Sequence, residues 1–345
     1  MNITYIGNSH PSQTSYHRYT SLQRLGHNVV ICDPYETLAS TLNHPIIGRF
    51  HYYSGYKFLQ NKVVNWIRKN YSSFQSDVIW VDNGELFGLE AVTHLKSLGG
   101  KVILYNTDDP TGNRDHGRFK SFLKALSKYD LIVTVREPTL QDLIKLNAQN
   151  AIKVYRSYDE VVHKPPVKPI PDYFKSDVAF IGTWIRHEKR DLFLLELINQ
   201  GINVSIWGDN WSKSPQWQKL KPYYKGSALF GENYVNAIAG AKVNLGLLSK
   251  GNRDLHTTRS MEIPYAGGLF CAERTTEHLA LYKEGEEAVF WSTAEECIEI
   301  CHKLLQDADR RDKIRKAGQK KVIELKLGNE DICKEVLSHV AIKRD

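Results

Sequence analysis

The sequence has none of the long hydrophobic segments that secretion or membrane insertion requires. Its start, MNITYIGNSHPSQ, shows no basic stretch followed by an apolar one, and no later run approaches about 18 uninterrupted apolar residues. The five cysteines are odd in number and scattered, with no CxxC pair and no zinc-like spacing to a histidine. These absences argue against a signal peptide, a transmembrane helix, a disulfide framework and a zinc site, and they predict a cytoplasmic protein with free thiols.

The motifs of several enzyme classes are also missing. No G-x-S-x-G elbow, Walker loop or kinase glycine loop occurs, which argues against serine hydrolases, P-loop enzymes and kinases. The first loop, Gly7–His10, contains too little glycine for a dinucleotide fingerprint, so NAD is not expected. Cys297 and Cys301 lie four residues apart on a predicted helix, which allows a metal or redox pair but is more typical of core packing.

The composition is that of a globular protein with only a small excess of positive charge. Hydrophobic residues make up 41% and charged residues 25%, which argues against a disordered or collagen-like chain. At 345 residues the chain exceeds what one core usually organises, so two domains are expected. The formal charge of +7 favours anionic ligands, among them nucleotide phosphates, polyanionic acceptors, nucleic acid and an anionic membrane face in peripheral contact.

The chain repeats its own opening. In both copies an apolar strand ends in glycine, a polar turn and a helix follow, and a second glycine 19 positions after the first leads into another strand. The glycines are Gly7 and Gly26 in the first copy and Gly182 and Gly201 in the second, and LGHNVVICD resembles QGINVSIWGD. This repeated βαβ pattern predicts two doubly wound domains in tandem.

Further strand-like runs separated by helical stretches extend each half. They begin at 77, 101, 130 and 151 and lie again near 242–248, 268–271 and 287–291, which implies parallel sheets. The segment 161–171 holds four prolines in eleven residues and can continue neither a sheet nor a helix. We therefore predict a Rossmann-like domain at 1–160, a linker at 161–176, a Rossmann-like domain at 177–328, and a C-terminal helix within 329–345 that packs back on the first domain.

The loop after the first strand of the second half carries three basic residues. It reads GTWIRHEKR from Gly182 to Arg190 and runs directly into a helix. Arg186, Lys189 and Arg190 beside the exposed amides of a helix N-terminus suit a pyrophosphate. The alternative is a solvated, charged first helical turn that binds no ligand.

A second loop in that half combines acids with arginines. In the segment NRDLHTTRSMEIPYAGGLF, Asp254 precedes a short helix that opens around Thr257, and Glu262 follows eight positions later inside the helix. Two carboxylates so placed can accept hydrogen bonds from hydroxyls of a sugar and of a ribose, while Arg253 and Arg259 offset phosphate charge. Alternatively, Glu262 caps the helix or pairs with Arg259.

These motifs resemble a known family. FIGTW, IWG at 206–208, YKG at 224–226, RSMEIPYAGGLF and EGEEAVFW occur in an order similar to that of the glycosyl transferases family 1 domain found in CgeB-like spore-maturation proteins. The resemblance covers Asp177 to about Gln319. It implies an α/β fold of the GT-B type, with two Rossmann-like doubly wound domains facing each other across a cleft. It also implies a hexosyltransferase-like glycosyltransferase, class EC 2.4.

The resemblance further implies roles for individual residues. Retaining GT-B enzymes carry an E-x7-E motif whose first acid meets the donor sugar and whose second meets the ribose; Glu262 matches the second, and Asp254 replaces the first. The shorter Asp254 leaves the donor sugar and the stereochemical outcome open. Arg186 and either Lys189 or Arg190 match the family's diphosphate ligands. The nucleotide base is expected near the ends of the following strands, where Trp207 is alternatively core. The predicted donor site comprises Gly182, Thr183, Trp184, Arg186, Lys189, Arg190, Trp207, Gly208, Tyr224, Lys225, Gly226, Arg253, Asp254, His256, Thr257, Thr258, Arg259 and Glu262.

The first half carries an acidic loop similar to one in CgeB-like proteins. It reads NTDDPTGNRDH and follows the fourth predicted strand. A base toward an acceptor hydroxyl must be a carboxylate or an imidazole within hydrogen-bond reach, so Asp108, Asp109 and His116 are the candidates for it. With Asp254, expected at the donor sugar, they are the predicted catalytic residues. The alternative for this loop is an Asx turn before Pro110.

Two other stretches of the first half are candidates for ligand contacts. Residues 33–56 are long for a connection inside a domain and rich in aromatic residues, which predicts a functional loop. Asp82, Asn83 and Glu85 follow another strand, and they either line the acceptor side or cap the next helix.

The function expected from these features is transfer of a sugar from a nucleotide diphosphate sugar, UDP-sugar favoured, to an acceptor glycan, protein or nucleic acid. No cofactor and no metal are expected, because positive side chains replace the divalent cation, and no D-x-D motif stands convincingly after a strand. Retention of configuration is expected if the D-x7-E pair acts like E-x7-E. Two alternatives are a nucleotide-sugar 2-epimerase on the same fold and a non-catalytic protein that binds nucleic acid or another polyanion.

Overall fold

The computed structural model describes residues 1–71 and 75–340, which form two parallel six-stranded sheets with helices between the strands. The strands of this part of the chain are β1 Asn2–Ile6, β2 Asn28–Cys32, β3 Val78–Asp82, β4 Lys101–Tyr105, β5 Leu131–Thr134, β6 Ala151–Lys153, β7 Ser176–Ile181, β8 Val204–Trp207, β9 Tyr224–Gly226, β10 Ala241–Gly246, β11 Phe270–Glu273 and β12 Val289–Trp291. The strand orders are β2-β1-β3-β4-β5-β6 and β12-β11-β10-β7-β8-β9. The prediction of an α/β fold with two doubly wound, Rossmann-like sheets is confirmed.

Helices connect successive strands. Their bounds are α1 Thr14–Arg24, α2 Pro34–Thr37, α3 Ala39–Leu42, α4 Ile47–Tyr53, α5 Gln60–Asn70, α6 Leu89–Ser97, α7 Lys120–Leu123, α8 Glu137–Lys145, α9 Arg190–Asn199, α10 Trp217–Leu220, α11 Gly231–Gly240, α12 Arg259–Tyr265, α13 Thr276–Leu281, α14 Ala294–Gln306, α15 Ala308–Glu324 and α16 Asn329–Ser338. Short 3₁₀ turns lie at Lys57–Leu59, Leu126–Lys128, Asp172–Phe174, Trp211–Lys213, Lys221–Tyr223 and Lys250–Asn252. Among the described residues, no helix combines the length and apolar character needed to cross a membrane.

The chain divides into two compact units. Unit 1 comprises Met1–Tyr155, the short segment Gly251–Arg253 and the chain from Asn329 on; unit 2 comprises Arg156–Lys250 and Asp254–Gly328. Within unit 1, α16 packs against α1. Of the helix predicted within 329–345, residues 341–345 lie outside the described part of the chain.

Each unit is built around the apolar faces of its own sheet. Parallel strands are covered by helices on both faces, so they read as nearly continuous apolar runs, and β3 (VIWVD) is buried at every position. In unit 1, Trp66, Phe87 and Phe122 pack in the core beside the sheet. In unit 2, Phe180 and Trp211 take corresponding places in the core.

The repeated glycines of the sequence end the first helix of each unit in the same way. Gly26 and Gly201 both have φ +82°. In each case the glycine amide and the next amide donate to carbonyls of the last helical turn, Gly26 to Gln23 and Gly201 to Ile198 among them. This Schellman motif requires a left-handed residue, which glycine adopts without strain, and it turns the chain into the next strand.

Residues 33–56 differ from the prediction of a loop. They form three short helices, α2, α3 and α4. Asp33 caps α2 by accepting from the amides of Tyr35 and Glu36, and Pro34 occupies the first helical position. Because these helices are only four to seven residues long, they show too few turns to produce a helical period in the sequence.

Candidate functional site

Both sheets reverse their strand order at one point. In the first sheet the chain passes from β1 to β2 on one side and then to β3 on the other side of β1. In the second sheet it passes from β7 to β8 and β9, and then to β10 on the other side of β7. At such a switch point, neighbouring loops diverge and leave a crevice at the carboxyl ends of the strands, where ligands bind. The sites are therefore expected after β1 and β3 in unit 1 and after β7 and β10 in unit 2.

In unit 2 the loops after β7 and β8 are in backbone contact. The amide of Gly182 donates to the carbonyl of Trp207 at 2.8 Å, and the amide of Trp184 donates to the carbonyl of Asp209 at 2.9 Å. Gly208 has φ +138°, and a Cβ at this position would lie 2.2 Å from the carbonyl oxygen of Gly182. Only glycine fits there, so Gly182 and Gly208 shape the loop beside the switch point.

Two arginines converge at the carboxyl end of β7. Arg190 donates from Nη1 to the carbonyl of Thr183 at 2.8 Å, and Arg259 donates from Nε to the carbonyl of Ile181 at 2.5 Å. Arg190 is buried, and its Nε–H has no acceptor among the described residues. Burial first, and then the charge of Arg259, lower the pKa of Arg190. Two partly desolvated cations at this place favour binding of an anion.

Acidic side chains around the arginines offset part of the positive charge. Glu188, Glu273 and Asp254 all act on Arg190 in the direction that raises its pKa. Glu188 also accepts from the hydroxyl of Ser249 at 2.8 Å, which holds the loop that follows β10. Asp254 is half-buried at the end of this loop. The structure therefore brings Asp254 into the electrostatic surroundings of the arginine pair.

Glu262 lies in α12 and is buried. Its Oε2 accepts from the hydroxyl of Tyr234 at 2.6 Å, and its Oε1 lies 3.7 Å from Nε2 of His163. Burial raises the pKa of Tyr234 well above its usual range, and the charge of Glu262 adds to this effect. Tyr234 and His163 thus hold the Glu262 carboxylate. The two alternatives for Glu262 were a helix cap and an ion pair with Arg259, and neither is seen among the described residues.

Two other predicted donor residues, Trp207 and His256, are buried inside unit 2. Trp207 is fully buried in β8, as the core alternative requires. His256 is also buried; its Nε2 accepts from the amide of Arg156 at 3.0 Å, and its Nδ1 pairs with Glu277. Both ring nitrogens of His256 are thus bonded inside the protein.

The remaining predicted donor residues surround these loops. Arg186 and Lys189 are exposed and line a separate pocket of about 340 Å³. The Tyr224 hydroxyl donates to the carbonyl of Gly208 at 3.2 Å, close to the switch-point loop. Of the others, Thr183 and Trp184 follow β7, Lys225 and Gly226 lie in β9, and Thr257 and Thr258 immediately precede α12. Of the basic residues, Arg190 and Arg259 are therefore the pair that the fold brings together.

Unit 1 contains a cavity of about 1080 Å³. Its walls come from the loop after β1, from the helical segment after β2 and from Glu85 after β3. Tyr35, Tyr52 and Tyr56 contribute aromatic side chains to it. A cavity of about 260 Å³ shares Tyr35 and Glu85 and is also lined by Asp108. A concave site with aromatic walls and a few polar groups is typical of small-molecule binding.

Glu85 is the buried acid of both cavities. Arg118 donates from Nη2 to Glu85 Oε2 at 2.7 Å, and the Asn83 amide donates to the same oxygen. Burial raises the pKa of Glu85 to about 7; Arg118 opposes this shift and Asp108 adds to it. A carboxyl group that exchanges its proton near neutral pH is suited to general acid–base chemistry. The sequence places Glu85 after a strand but contains no signal for its burial.

Asp109 and Arg253, predicted for different roles, pair with each other inside unit 1. Arg253 donates from Nε and Nη2 to the two carboxylate oxygens of Asp109 at 2.6 Å, and from Nη1 to Asp142 at 2.9 Å. Thr139 donates to Asp109 at 2.8 Å. Although burial opposes ionisation, the bonds from Arg253 and Thr139 lower the pKa of Asp109. A buried carboxylate with this many donors is poorly suited to accept a proton.

The other two predicted catalytic residues of unit 1 are more accessible. The amide of Asp108 donates to Oδ1 of Asn106 at 2.8 Å, which is the Asx turn considered as the alternative for this loop. Asp108 also lies 3.0 Å from Arg118. His116 is exposed at φ +49°, with its ring centroid 6.1 Å from that of Tyr53.

Asp82 lines the smaller cavity of unit 1 and is held in place by hydrogen bonds. Arg18 donates to its two carboxylate oxygens at 2.8 and 3.0 Å, and the hydroxyl of Tyr5 donates to it at 2.6 Å. The following helix, α6, has Gly88 at its N-cap and no side-chain cap. The alternative that one of the three polar residues after β3 caps this helix is therefore wrong, because the chain continues for several residues before α6 begins.

Three cysteines lie together in the core of unit 2. Cys271 of β11 and Cys297 and Cys301 of α14 are fully buried, with their sulfur atoms within 4.8 Å of one another. All three belong to the apolar core, which agrees with the expectation that Cys297 and Cys301 are core residues. Their spacing also suits a soft metal ion, and they form the only such three-residue group among the described residues.

Residues 186–326 match the protein family described as glycosyl transferase-like. No curated protein is similar enough in sequence to match the chain.

Several solved structures share the fold at low sequence identity. Sucrose-phosphate synthase from Thermosynechococcus elongatus has a TM-score of 0.69 at 11% identity, with 98% of this chain and 97% of that chain covered. Anabaena HepE in complex with UDP-glucose has a TM-score of 0.63 at 12% identity, with 98% and 99% covered. The N-terminal domain of Candida albicans trehalose-6-phosphate phosphatase has a TM-score of 0.67 at 12% identity, with 98% and 97% covered. The chain thus has the fold of the GT-B glycosyltransferases and carries a glycosyl transferase-like segment in its second half.

Proposed function

We propose that the chain is a glycosyltransferase that takes its sugar from a nucleotide diphosphate sugar, with UDP as the favoured nucleotide. The observation that carries the proposal is the Arg190–Arg259 pair at the switch point of the second sheet, inside the glycosyl transferase-like segment. Anabaena HepE, which shares the fold, was solved with UDP-glucose, and this supports the choice of nucleotide. The motif order supports a CgeB-like subtype and class EC 2.4, and the five free thiols support a cytoplasmic location.

In this proposal unit 2 holds the donor. The diphosphate binds Arg190, which is buried with no acceptor for its Nε–H among the described residues, and the neighbouring Arg259. The ribose hydroxyls bind Glu262, which Tyr234 and His163 hold in place. Asp254, in the loop before α12, contacts the sugar.

Unit 1 holds the acceptor in the cavity lined by the three tyrosines and Glu85. The bond between the anomeric carbon and the diphosphate oxygen breaks, and the acceptor oxygen forms the new bond to that carbon with retention of configuration. The hydroxyl proton passes to the carboxylate of Glu85, whose pKa of about 7 suits both uptake and release. The arginines stabilise the negative charge that develops on the departing diphosphate, so no metal is required.

The first test is UDP binding by titration calorimetry, in the presence of EDTA and again with magnesium. Glu262→Ala should weaken UDP binding by about 1–3 kcal/mol, because a buried hydrogen bond to the ribose is lost. The control is Glu299→Ala, which removes an exposed acid of α14 and should leave the affinity unchanged. A folded Glu262→Ala variant with unchanged affinity contradicts the donor site.

Product analysis then separates transfer from the epimerase alternative. A transferase releases UDP only in step with glycosylation of an acceptor, whereas a 2-epimerase converts the nucleotide sugar without an acceptor. Strict dependence of UDP-binding affinity on magnesium would contradict the metal-independent site.

A further inference from the structure

Five large apolar side chains of unit 1 are exposed on α4, on the residue before it and on the turn that follows it. They are Ile46, Ile47, Phe50, Tyr53 and Phe58, and we call them the apolar patch; their exposed fractions range from 44% to 76%. Positions 46, 50 and 53 lie on one face of a helix. Phe58 stacks on Phe50 with ring centroids 5.4 Å apart. Single exposed apolar residues are common on proteins, but a contiguous group such as this marks an interaction surface.

The surroundings of the apolar patch are basic. From Thr37 to Ser76 the sequence contains no aspartate or glutamate, although acids make up 39 of the 345 residues of the chain. The same stretch contains five exposed basic residues, Arg49, Lys57, Lys62, Arg68 and Lys69. Lys57 lies with its Nζ 5.8 Å from the ring centroid of Phe58. Arg49 in α4 and Lys57 in the following turn thus lie beside residues of the apolar patch in the sequence, and the segment contains no acid to neutralise them.

We propose that the apolar patch docks unit 1 on an anionic lipid bilayer. Aromatic and aliphatic side chains on one face of an interfacial helix insert at the headgroup boundary, and neighbouring lysines and arginines bind anionic headgroups. A second copy of this chain is a poorer occupant. A symmetric dimer through this surface would bring two sets of like charges together without an acid from either segment.

The docking surface is continuous with the acceptor cavity. Gly48, Arg49 and Tyr52 of α4 line the cavity, while Ile47, Phe50 and Tyr53 of the same helix belong to the apolar patch. If the cavity binds the acceptor, as the proposed function has it, docking through the apolar patch places the acceptor cavity at the membrane surface. The acceptor class that fits is a hydroxyl compound presented at an anionic membrane, such as a lipid-linked glycan.

The experiment is co-sedimentation of the full chain with vesicles of phosphatidylcholine alone and of phosphatidylcholine mixed with phosphatidylglycerol. The protein should bind the anionic vesicles, bind the neutral ones much less, and lose binding as salt is raised. Phe50→Ser with Phe58→Ser should weaken binding by about tenfold or more, because two inserted rings are removed. Lys57→Gln with Lys62→Gln should weaken binding to anionic vesicles only.

The matched control is Ile144→Ser with Leu146→Ser, which removes two equally exposed apolar side chains elsewhere in unit 1 and should leave vesicle binding unchanged. The docking proposal is overturned if anionic vesicles are not bound, if neutral vesicles are bound equally well, or if the Phe50/Phe58 variant binds like the parent. Concentration-dependent dimerisation that this variant abolishes, without vesicle binding, would identify a second copy as the occupant. UDP binding by the parent and by each variant is measured in parallel. A parent protein that binds anionic vesicles but not UDP would refute the donor site and leave the docking proposal standing.

Discussion

Glu85 is the residue whose ionisation connects stability with the proposed chemistry. Its pKa is raised from the ordinary 4.5 to about 7. The native protein therefore holds a proton that the unfolded chain has lost between these values, and stability falls as the pH rises through this range. From about pH 5 to about pH 8 the loss should be about 2 kcal/mol, and Glu85→Gln should lack it. Urea unfolding at the two pH values measures the difference.

The matched control for Glu85 is Glu36→Gln, which changes an exposed acid lining the same cavity and should keep the parent's pH dependence of stability. If Glu85 accepts the acceptor proton, the transfer rate of the parent should rise with pH around 7, and Glu85→Gln should be slow at every pH. Equal slopes of stability against pH for parent and Glu85→Gln would contradict the raised pKa. A normal rate for the variant would remove Glu85 from the mechanism.

Residue types and strand-end positions are visible in the sequence, but burial and pairing across the fold are not. The strand-end pattern predicts that residues near 82–85 and 108–109 lie at one edge of a sheet. It does not distinguish Asp109, which Arg253 saturates from a distant part of the chain, from Glu85, whose pKa approaches neutrality. These two outcomes depend on long-range contacts, and no local spacing encodes them.

At the scale of elements, the turn after β8 depends on a glycine that the structure leaves no room to replace. Gly208→Ala would put a Cβ 2.2 Å from a backbone oxygen at φ +138°, and it should cost about 3 kcal/mol or more. Gly201→Ala has φ +82° with nothing within 4 Å, so it should cost only about 1 kcal/mol of left-handed strain. Chemical unfolding of both variants measures the two costs.

The same two variants distinguish a glycine in the proposed donor site, Gly208, from a glycine that only ends a helix, Gly201. Gly208→Ala displaces the loop that contacts Gly182 and should also weaken UDP binding, whereas Gly201→Ala should not. Equal stability losses would contradict the lack of room at Gly208, and UDP affinity unaffected by Gly208→Ala would contradict the part of this loop in the donor site.

Helices and strands long enough to show a regular apolar pattern could be predicted from the sequence, whereas helices of four to seven residues could not. The strand Asn28–Cys32 and the glycine-ended helices follow from apolar runs and from the repeated spacing. The helices of residues 33–56 are held by contacts such as the bond from Trp66 Nε1 to the hydroxyl of Thr37 at 3.2 Å. Asp33 before Pro34 is a local helix-start signal, but it specifies only where α2 begins.

For the whole molecule, the order of residues along the chain differs from their grouping in space. Unit 1 includes α16, which comes after all of unit 2 in the sequence. Arg24 of α1 pairs with Glu330 at 2.7 Å, and the hydroxyl of Ser21 lies 3.4 Å from the sulfur of Cys333. Unit 1 can therefore complete its fold only after α16 has been synthesised.

A substitution in α16 should consequently affect stability without affecting the donor site. Val336 is fully buried against unit 1, so Val336→Asp places an unpaired charge in an apolar contact and should cost about 3 kcal/mol or more. Lys334→Asp, on the exposed face of the same helix, should cost less than about 0.5 kcal/mol. UDP affinity, measured where both variants remain folded, should match the parent's, because the proposed donor contacts all lie in unit 2. Unchanged stability of Val336→Asp would mean that α16 does not complete unit 1, and a loss of UDP affinity would mean that the donor site depends on it.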